Sequence, residues 1–401
     1  MRVIRLALEC FALLVVVGCG GGGASGAAGP ALAANEVAVY VDAGPAGTGY
    51  NANRLYTDVT ICQPGSPGNC QTIEHVLVDT GSTGLRILAT ELSPTLGLVA
   101  AAASGGSTLA NCARFVDGSF AWGPVTTADI VLGSLRAAST RFQVMGDPSL
   151  QSSAAACSSG TALRTVSDLG ARGILGVGLF REDCGTACVG NAAAGFYFSC
   201  LPGVSCTGTT VATSSQVRNP IVNFSLDNNG VLIDLPSVGL SPAGALAGKM
   251  IFGVATQSNN QLAGAQVFQA TSRGYVTTIF NGVVMSNSFL DTGSNGLYFD
   301  TPILTQCNPG SAAGFYCPAV STALTATVSS SNGNTTSIGF VVANALASFA
   351  GAPPVLPGLA GTFGASQSFD WGLPFFYGRR VFFGIQGMAA TGGVVGPYYA
   401  F

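Results

Sequence analysis

Two short stretches place an aspartate between an apolar segment and a Thr-Gly-Ser sequence: VLVDTGSTGLRIL at residues 76–88 and NSFLDTGSNGLYFD at residues 287–300. The acids are Asp79 and Asp291, one in each half of the chain. Two carboxylates that are held close together cannot both ionise cheaply, so they share one proton. The ionised acid can then act as a general base toward water, while the protonated acid polarises a carbonyl group. The repeat therefore indicates hydrolysis by a paired-aspartate dyad.

The three residues after each acid are suited to supporting such a dyad. The glycines let backbone N–H groups approach the carboxylates, and the serine hydroxyls can donate hydrogen bonds to them. The threonine hydroxyls can hydrogen-bond across the junction between the two halves. A pair of β-turns, in which each aspartate caps its own backbone, is the alternative. The supporting residues are Thr80, Gly81, Ser82, Thr292, Gly293 and Ser294.

The composition favours an all-β protein. Among 401 residues, 48% are hydrophobic, 8% are charged and 56 are glycine, and short segments rich in Val, Ile, Phe and Thr alternate with turn residues. Helical signals are few, with one at residues 162–174 and another at residues 344–349. The net charge is −3 and the single lysine is Lys249, so no basic surface is predicted to bind nucleic acid.

The N-terminus has the pattern of a lipoprotein signal peptide. An arginine-containing start precedes the apolar residues 11–18, and Cys19 follows two small residues. We expect residues 1–18 to be removed and Cys19 to carry the lipid, with residues 19–35 as a flexible Gly/Ala tether. No Asp follows Cys19, so we expect the outer membrane of a bacterial cell envelope. An ordinary cleaved signal peptide or a short anchor helix is the alternative.

Besides Cys10 and Cys19, the chain has ten cysteines, which predict up to five disulfides in an exported protein. A nested arrangement among the four cysteines between residues 184 and 206 is equally allowed. A zinc site on those four is the functional alternative, but their spacing is irregular. The expected pairs are Cys62–Cys70, Cys112–Cys157, Cys184–Cys188, Cys200–Cys206 and Cys307–Cys317.

With both motifs in view, the chain resembles the pepsin-like aspartic proteases. Residues 114–135 resemble that family's flap hairpin and the strand after it, and residues 171–180 resemble the apolar-Gly segment that completes the first lobe. Residues 249–264 resemble the opening of the second lobe, and residues 369–385 its closing apolar-Gly segment. The chain is more similar still to a family of uncharacterised bacterial lipoproteins related to pepsin.

The resemblance implies an all-β, bilobal, pepsin-like double β-barrel with few short helices. The lobes would be residues 36–226 and 227–401, with Asp79 and Asp291 as the catalytic pair. The implied activity is that of an endopeptidase acting on extended peptide, as a monomer, without a cofactor or metal. The implied flap residues are Phe115, Asp117, Gly118 and Ser119.

Three departures from that family bear on activity. Phe115 stands where the family has a flap tyrosine, and Arg86 stands where it has the tryptophan that bonds to that tyrosine. No basic prosegment precedes the fold. A surface binding module with little or no turnover is therefore the second hypothesis. Arg86 would also lower the pKa values of the dyad if it lies near the cleft.

Other hydrolytic chemistries fit the sequence less well. His75 is the single histidine, no Gly-x-Ser-x-Gly elbow is present, and we expect His75 to be a satisfied polar residue on a sheet. A glycosidase would also use two carboxylates, but the duplicated motif argues against it. Trp122 and Trp371 are expected in the core or the cleft wall rather than as sugar platforms.

Overall fold

Short β-strands make up most of the regular structure in the computed structural model, which describes residues 32–201, 205–308, 310 and 312–401. The predicted signal peptide and its lipidation cysteine lie outside these residues. Asn35, at the predicted end of the tether, is buried, and its side-chain amide donates to the carbonyl of Phe252 at 3.0 Å. The ordered fold therefore begins before residue 36.

The strands of the first half are β1 Glu36–Val41, β2 Tyr56–Cys62, β3 Cys70–Asp79, β4 Thr83–Leu88, β5 Thr108–Arg114, β6 Ser119–Leu132, β7 Leu135–Met145, β8 Thr161–Ala162, β9 Gly173–Val177, β10 Tyr197–Cys200 and β11 Cys206–Gly208. Those of the second half are β12 Gly230–Asp234, β13 Leu246–Phe252, β14 Val267–Gln269, β15 Val276–Phe280, β16 Val283–Leu290, β17 Leu297–Phe299, β18 Thr322–Ser329, β19 Thr335–Val342, β20 Ala360–Gly361, β21 Phe369–Trp371, β22 Arg380–Gly384 and β23 Tyr398–Ala400.

Helices are few and short, as predicted. Helix α1, Val166–Leu169, falls inside the predicted segment 162–174, and Thr165 and Asp168 form a reciprocal cap at its start. Helix α3, Ala345–Ser348, falls inside the predicted segment 344–349. The α-helices are α1 Val166–Leu169, α2 Ala187–Gly190 and α3 Ala345–Ser348. The 3₁₀ helices are Ala89–Glu91, Pro94–Leu96, Ser104–Gly106, Pro148–Ala156, Ala192–Ala194, Thr213–Ser215, Pro220–Asn223, Ser258–Asn260 and Leu373–Phe376.

The burial of side chains explains why these segments form strands. In β2, Val59 and Ile61 are buried, whereas Asp58 is exposed. This alternation is the period-two pattern of a strand that has one face on the core. Strand β4 is buried along its whole length, because other parts of the fold cover both of its faces. One large apolar cluster contains side chains from both halves.

The first half closes on itself as a barrel. Strands β6, β7, β4, β9, β3 and β2 are neighbours in that order, and β2 also pairs with β6. The same sheet continues through β1 into the second half, where β1 pairs with β13 and β12 pairs with β13 and β22. The second half has its own sheet in the order β19-β18-β15-β16-β21-β17-β20. The predicted all-β, two-lobed architecture is confirmed.

Each half contains the same arrangement of strands around its aspartate. Strand β3 runs parallel to β9, and β4 runs antiparallel to β9. In the second half, β16 runs parallel to β21, and β17 runs antiparallel to β21. Asp79 is the last residue of β3, and Asp291 directly follows β16. The repeated motif of the sequence is thus the start of a repeated structural unit.

All five predicted disulfides are present, with sequence separations from 4 to 45 residues. The four cysteines between residues 184 and 206 pair locally, so the nested arrangement and the zinc alternative are both wrong. Such disulfides form in oxidising compartments and indicate an exported, non-cytoplasmic protein. None of the helices in the described residues has the length and apolar character needed to cross a bilayer.

Candidate active site

The two motif aspartates meet at the junction of the two halves. The backbone N–H of Gly81 donates to Oδ1 of Asp79 at 2.8 Å and to Oδ1 of Asp291 at 3.1 Å. One amide therefore bridges both carboxylates, although the acids lie on different structural units. Strands β3 and β16 both end at the junction, and each therefore places its aspartate there.

Each acid is held by the residues that follow it in the chain. Asp79 accepts from the backbone N–H of Ser82 at 3.1 Å and from the Ser82 hydroxyl. Asp291 accepts from the backbone N–H of Gly293 at 2.7 Å and from the Ser294 hydroxyl at 2.8 Å. These donors fix the carboxylate planes and stabilise negative charge.

Both glycines of the motifs are sterically required. A Cβ on Gly81 would lie 2.7 Å from Cγ of Asp291, and a Cβ on Gly293 would lie 2.9 Å from Cγ of Asp79. Each glycine thus faces the acid of the other half, and any side chain there would push the carboxylates apart. The close approach of the acids depends on these two residues.

The two threonines cross-link the junction reciprocally. The backbone N–H of Thr80 donates to the Thr292 hydroxyl at 3.1 Å, and the backbone N–H of Thr292 donates to the Thr80 hydroxyl at 2.9 Å. The hydroxyls donate onward to the carbonyls of Leu290 and Val78, at 3.3 and 2.7 Å. Both threonines are buried, so the strand ends that carry the dyad are locked together.

Asn53 also lies at the junction of the two halves, although it belongs to no motif of the sequence. Its side-chain amide donates to the carbonyls of Asn295 and Leu356, each at 2.8 Å, and its oxygen accepts from the N–H of Leu356 at 2.7 Å. Tyr377 also donates to that oxygen at 2.7 Å. Asn53 therefore ties a loop of the first half to the loop beside Asp291. An asparagine between two strands gives no sequence signal for this role.

The electrostatics of the site favour one bound proton. Burial, followed by the charge of Asp79, raises the pKa of Asp291 well above its usual range. The hydrogen bonds from Ser294 and Gly293 act in the opposite direction but do not cancel this shift. The raised pKa of Asp291 therefore favours one proton held by the pair.

A third carboxyl, Asp370, lies next to the dyad and was missed in the sequence analysis. It belongs to β21, inside a segment that resembles an apolar closing element, and it is 3% exposed. Burial, then the charge of Asp291, raises the pKa of Asp370. The available signal was an acid within an otherwise apolar run, FDWGLPFF. In the described part of the chain, no group of three or more His, Cys, Asp or Glu side chains could hold a metal ion.

Arg86 does not extend toward the dyad as an unpaired cation. Its guanidinium contacts Asp183 at 3.3 Å and donates to the carbonyls of Thr83 and Gly84 at 2.8 and 3.2 Å. Asp183 also accepts from Tyr197 at 2.5 Å and from Asn111 at 2.9 Å. The charge of Arg86 is thus balanced locally, and Arg86 is not among the main causes of the raised pKa of Asp291. The sequence hypothesis that Arg86 lowers the pKa values of the dyad is not supported.

The predicted flap is a hairpin formed by β5 and β6. At its tip the N–H of Phe115 donates to the carbonyl of Ser119 at 2.9 Å, and Asp117 accepts from the N–H of Ser119 at 2.8 Å. Gly118 has a φ of 84°, which its lack of a side chain permits at this turn. Burial, and then the charges of Asp370 and Asp117, raise the pKa of the Tyr298 hydroxyl on β17.

The flap tip has no hydroxyl at Phe115, and this ring packs against an apolar cluster of the first half that includes Leu77 and Ile174. The hairpin is braced instead by the disulfide from Cys112 to Cys157 and, next to its tip, by pairing of β6 with β8 at Ser119 and Phe120. Arg86 and Phe115 therefore belong to separate contact networks.

His75 and the tryptophans have structural roles. His75 contacts Asp42 at 3.1 Å and packs edge-on against Tyr40 and Tyr56, as expected for a satisfied polar residue on a sheet. Trp122 and Trp371 are both buried in core clusters, as predicted.

Comparison with known proteins agrees with this geometry. Residues 31–401 match the family described as "Protein of unknown function (DUF3443)". No curated protein sequence matches the chain. An aspartic proteinase from Irpex lacteus aligns in structure with a TM-score of 0.51 at 16% sequence identity, covering 92% of this chain and 96% of that one. Basic 7S globulin from soybean aligns with a TM-score of 0.49 at 12% identity, covering 92% and 94%. The chain belongs to the DUF3443 family and has a pepsin-like, bilobal β fold.

Proposed function

We propose that this protein is an aspartic-type endopeptidase that hydrolyses peptide bonds at the bacterial cell envelope. The observation that carries the proposal is the Gly81 amide, which bridges Asp79 and Asp291 at 2.8 and 3.1 Å. A fold needs no such pair, because two adjacent buried carboxylates are unfavourable unless they share a proton.

The geometry supports distinct roles for the two acids. Water attacks the scissile carbonyl carbon and gives a proton to Asp79, while Asp291, whose pKa is raised, gives its proton to the carbonyl oxygen, so that a tetrahedral gem-diol forms. Asp79 then delivers its proton to the amide nitrogen and the C–N bond breaks. One gem-diol hydroxyl returns its proton to Asp291 as the new carboxyl group forms, which restores both acids. Ser82, Ser294 and the junction threonines keep the carboxylates in position.

The fold supports an extended peptide as the substrate. An extended peptide can lie between the two halves under the hairpin of residues 114–119 and hydrogen-bond through its backbone. We further propose that the chain acts as a monomer that is exported and anchored by a lipid on Cys19. The five disulfides support export, and the residues around Cys19 support acylation.

A binding role without turnover is the second candidate. It is favoured by Phe115, which offers no hydroxyl to a substrate, and by Arg86, which is committed to Asp183. A protein of this kind would hold extended peptides in the same cleft and release them uncut.

The direct test is cleavage of denatured protein substrates by residues 32–401, from about pH 3 to about pH 7.5, with products identified by mass spectrometry. D79N and D291N, purified identically, control for contaminating proteases, and pepstatin serves as an inhibitor. Cleavage that is lost in both variants supports the peptidase. Tight peptide binding by a folded protein that cleaves nothing at any pH would replace it with the binding role.

A further inference from the structure

A buried polar network joins the flap strand to two other strands of the first half. Arg86 lies on β4, Asn111 on the flap strand β5 and Gln143 on β7, and all three residues are buried. Arg86 and Asn111 both donate to Oδ2 of Asp183, at 3.3 and 2.9 Å. Gln143 donates to the backbone carbonyl of Asn111 at 2.6 Å. Arg86 and Gln143 are also paired across β4 and β7, so their side chains project from the same face of the sheet.

Three polar atoms of this network have no hydrogen-bond partner among the described residues: Nε of Arg86, Oδ1 of Asn111 and Oε1 of Gln143. Both amides are held in one orientation by their nitrogens. Nδ2 of Asn111 donates to Asp183 at 2.9 Å and to the carbonyl of Phe196 at 3.2 Å, and Nε2 of Gln143 donates to the carbonyl of Asn111. Turning either amide would place an oxygen against these acceptors. The unpaired atoms are therefore one donor and two acceptors.

This combination of one donor and two acceptors identifies the chemistry of a missing partner. A buried donor or acceptor without a partner carries its full desolvation penalty. A metal cation would leave the Arg86 N–H unpaired, and an anion would leave both amide oxygens unpaired. A water molecule accepts through its oxygen and donates through two hydrogens, and buried waters make about three hydrogen bonds to such groups.

We propose that an internal water molecule is bound at this position as part of the fold. It accepts a hydrogen bond from the Nε–H of Arg86 and donates to Oδ1 of Asn111 and Oε1 of Gln143. The water thereby links β4, which follows the first aspartate motif, with β7 and with the flap strand β5. Arg86 then contacts Asn111 by two routes, through Asp183 and through the water. The site does not rest on the proposed peptidase function.

The first experiment is NMR spectroscopy of the folded full chain, in which the Nε–H of Arg86 is observed directly. R86K keeps the positive charge but has no guanidinium Nε–H, so it assigns the signal by its loss. The proposal predicts a ROESY cross-peak between this hydrogen and water, with a sign opposite to that of the diagonal. That sign marks a bound water and excludes proton exchange as the cause. A wild-type spectrum without this cross-peak overturns the proposal.

Removal of the two acceptors tests where the water lies. N111L/Q143M lacks both amide oxygens and should lose the cross-peak, with thermal unfolding as the control for folding. Q143M alone leaves one acceptor and should weaken the cross-peak, which keeps the test decisive if the double variant does not fold. Q261M is the matched control, since Gln261 is exposed and lies outside the network. An unchanged cross-peak in a folded Q143M or N111L/Q143M protein would contradict the assignment.

A high-resolution crystal structure of the full chain gives the geometry. The proposal predicts a water peak at about 2.7–3.2 Å from each of the three unpaired atoms. Direct contact between Nε of Arg86 and either amide oxygen, or a peak that reaches only one of the three atoms, would overturn it. All of these measurements apply equally to a protein that cleaves no peptide, so they are independent of the outcome for the peptidase function.

Discussion

At the scale of single residues, Arg86 and Asp183 form an ion pair with side chains only 3% and 4% exposed. Removing one partner of a buried pair leaves the other charge uncompensated. The pair stands between β4, which follows the first motif, and the segment after β9. Its role is to fasten these parts of the first half together rather than to tune the dyad.

We therefore predict that R86L lowers the free energy of unfolding by about 3–5 kcal/mol near neutral pH. The loss should shrink at acidic pH, because burial has already raised the pKa of Asp183 and removing the cation raises it further. Urea unfolding at several pH values measures both effects. R172L is the control, since the Arg172–Glu91 pair is more exposed, and it should cost less than about 1 kcal/mol. An R86L variant as stable as R172L would contradict the assignment.

The residue scale also shows how far the sequence can be interpreted. Asp79, Asp291 and their Thr-Gly-Ser neighbours are visible because they are repeated, and repetition is unlikely by accident in turns. Asp370 and Asn53 occur once, and their roles depend on strands and loops that are distant in sequence. The surroundings of Arg86 could not be predicted, because its partner, Asp183, becomes its neighbour only through the tertiary fold.

At the scale of elements, the flap hairpin depends on its base. Strand β5 is tied to the segment after the long 3₁₀ helix by Cys112–Cys157, which closes 45 residues. Trp122, opposite Cys112 in β6, donates to the carbonyl of Leu150 at 2.8 Å. The hairpin is thus held from one side by a covalent bond and by packing.

Removing this disulfide should destabilise the protein more than removing a local one. By loop-closure entropy, C112A/C157A should lower the free energy of unfolding by about 4 kcal/mol, against about 2.5 kcal/mol for C62A/C70A, which closes only 8 residues. Chemical unfolding of the two double variants makes the comparison. Limited proteolysis should also cut within residues 114–119 faster in C112A/C157A alone. Equal losses in the two variants would show that the disulfide does not brace the hairpin.

Strand elements were predictable because alternation and turn residues are local signals. The local disulfides were predictable for the same reason, since short loops limit the choice of partner. The pairing of β1 with β13, which carries the sheet from one half into the other, has no local signal. The same holds for the burial of Asn35, whose side chain donates to the carbonyl of Phe252.

At the scale of the whole molecule, the junction of the two halves contains buried acids that hold their protons more tightly in the folded state than in the unfolded state. Asp291 and Asp370 both have raised pKa values, so the folded chain binds protons that the unfolded chain releases. Stability from these groups is fully present below the unfolded pKa of about 3.9 and is lost as the pH rises toward the folded pKa. The raised pKa values of these acids therefore lower the free energy of unfolding near neutral pH.

D291N removes one of these groups, and its stability relative to the wild type should increase as the pH rises from about 4 toward neutrality. The slope should reach at most about 1.4 kcal/mol per pH unit. Urea unfolding at a series of pH values gives the difference. E74Q, which removes an exposed carboxylate on β3, is the control variant. A D291N difference that decreases with pH would mean that Asp291 is ionised in the folded protein.

The central claim is that Asp79 and Asp291 act as one unit on a single water. Its most direct test is kcat/KM for peptide cleavage by the wild type, D79N, D291N and the D79N/D291N double variant. We predict that each single variant loses at least about a thousandfold and that the double variant loses no more, because either change disables the same unit. Substantial activity in either single variant, or losses that multiply in the double variant, would contradict the shared-proton dyad.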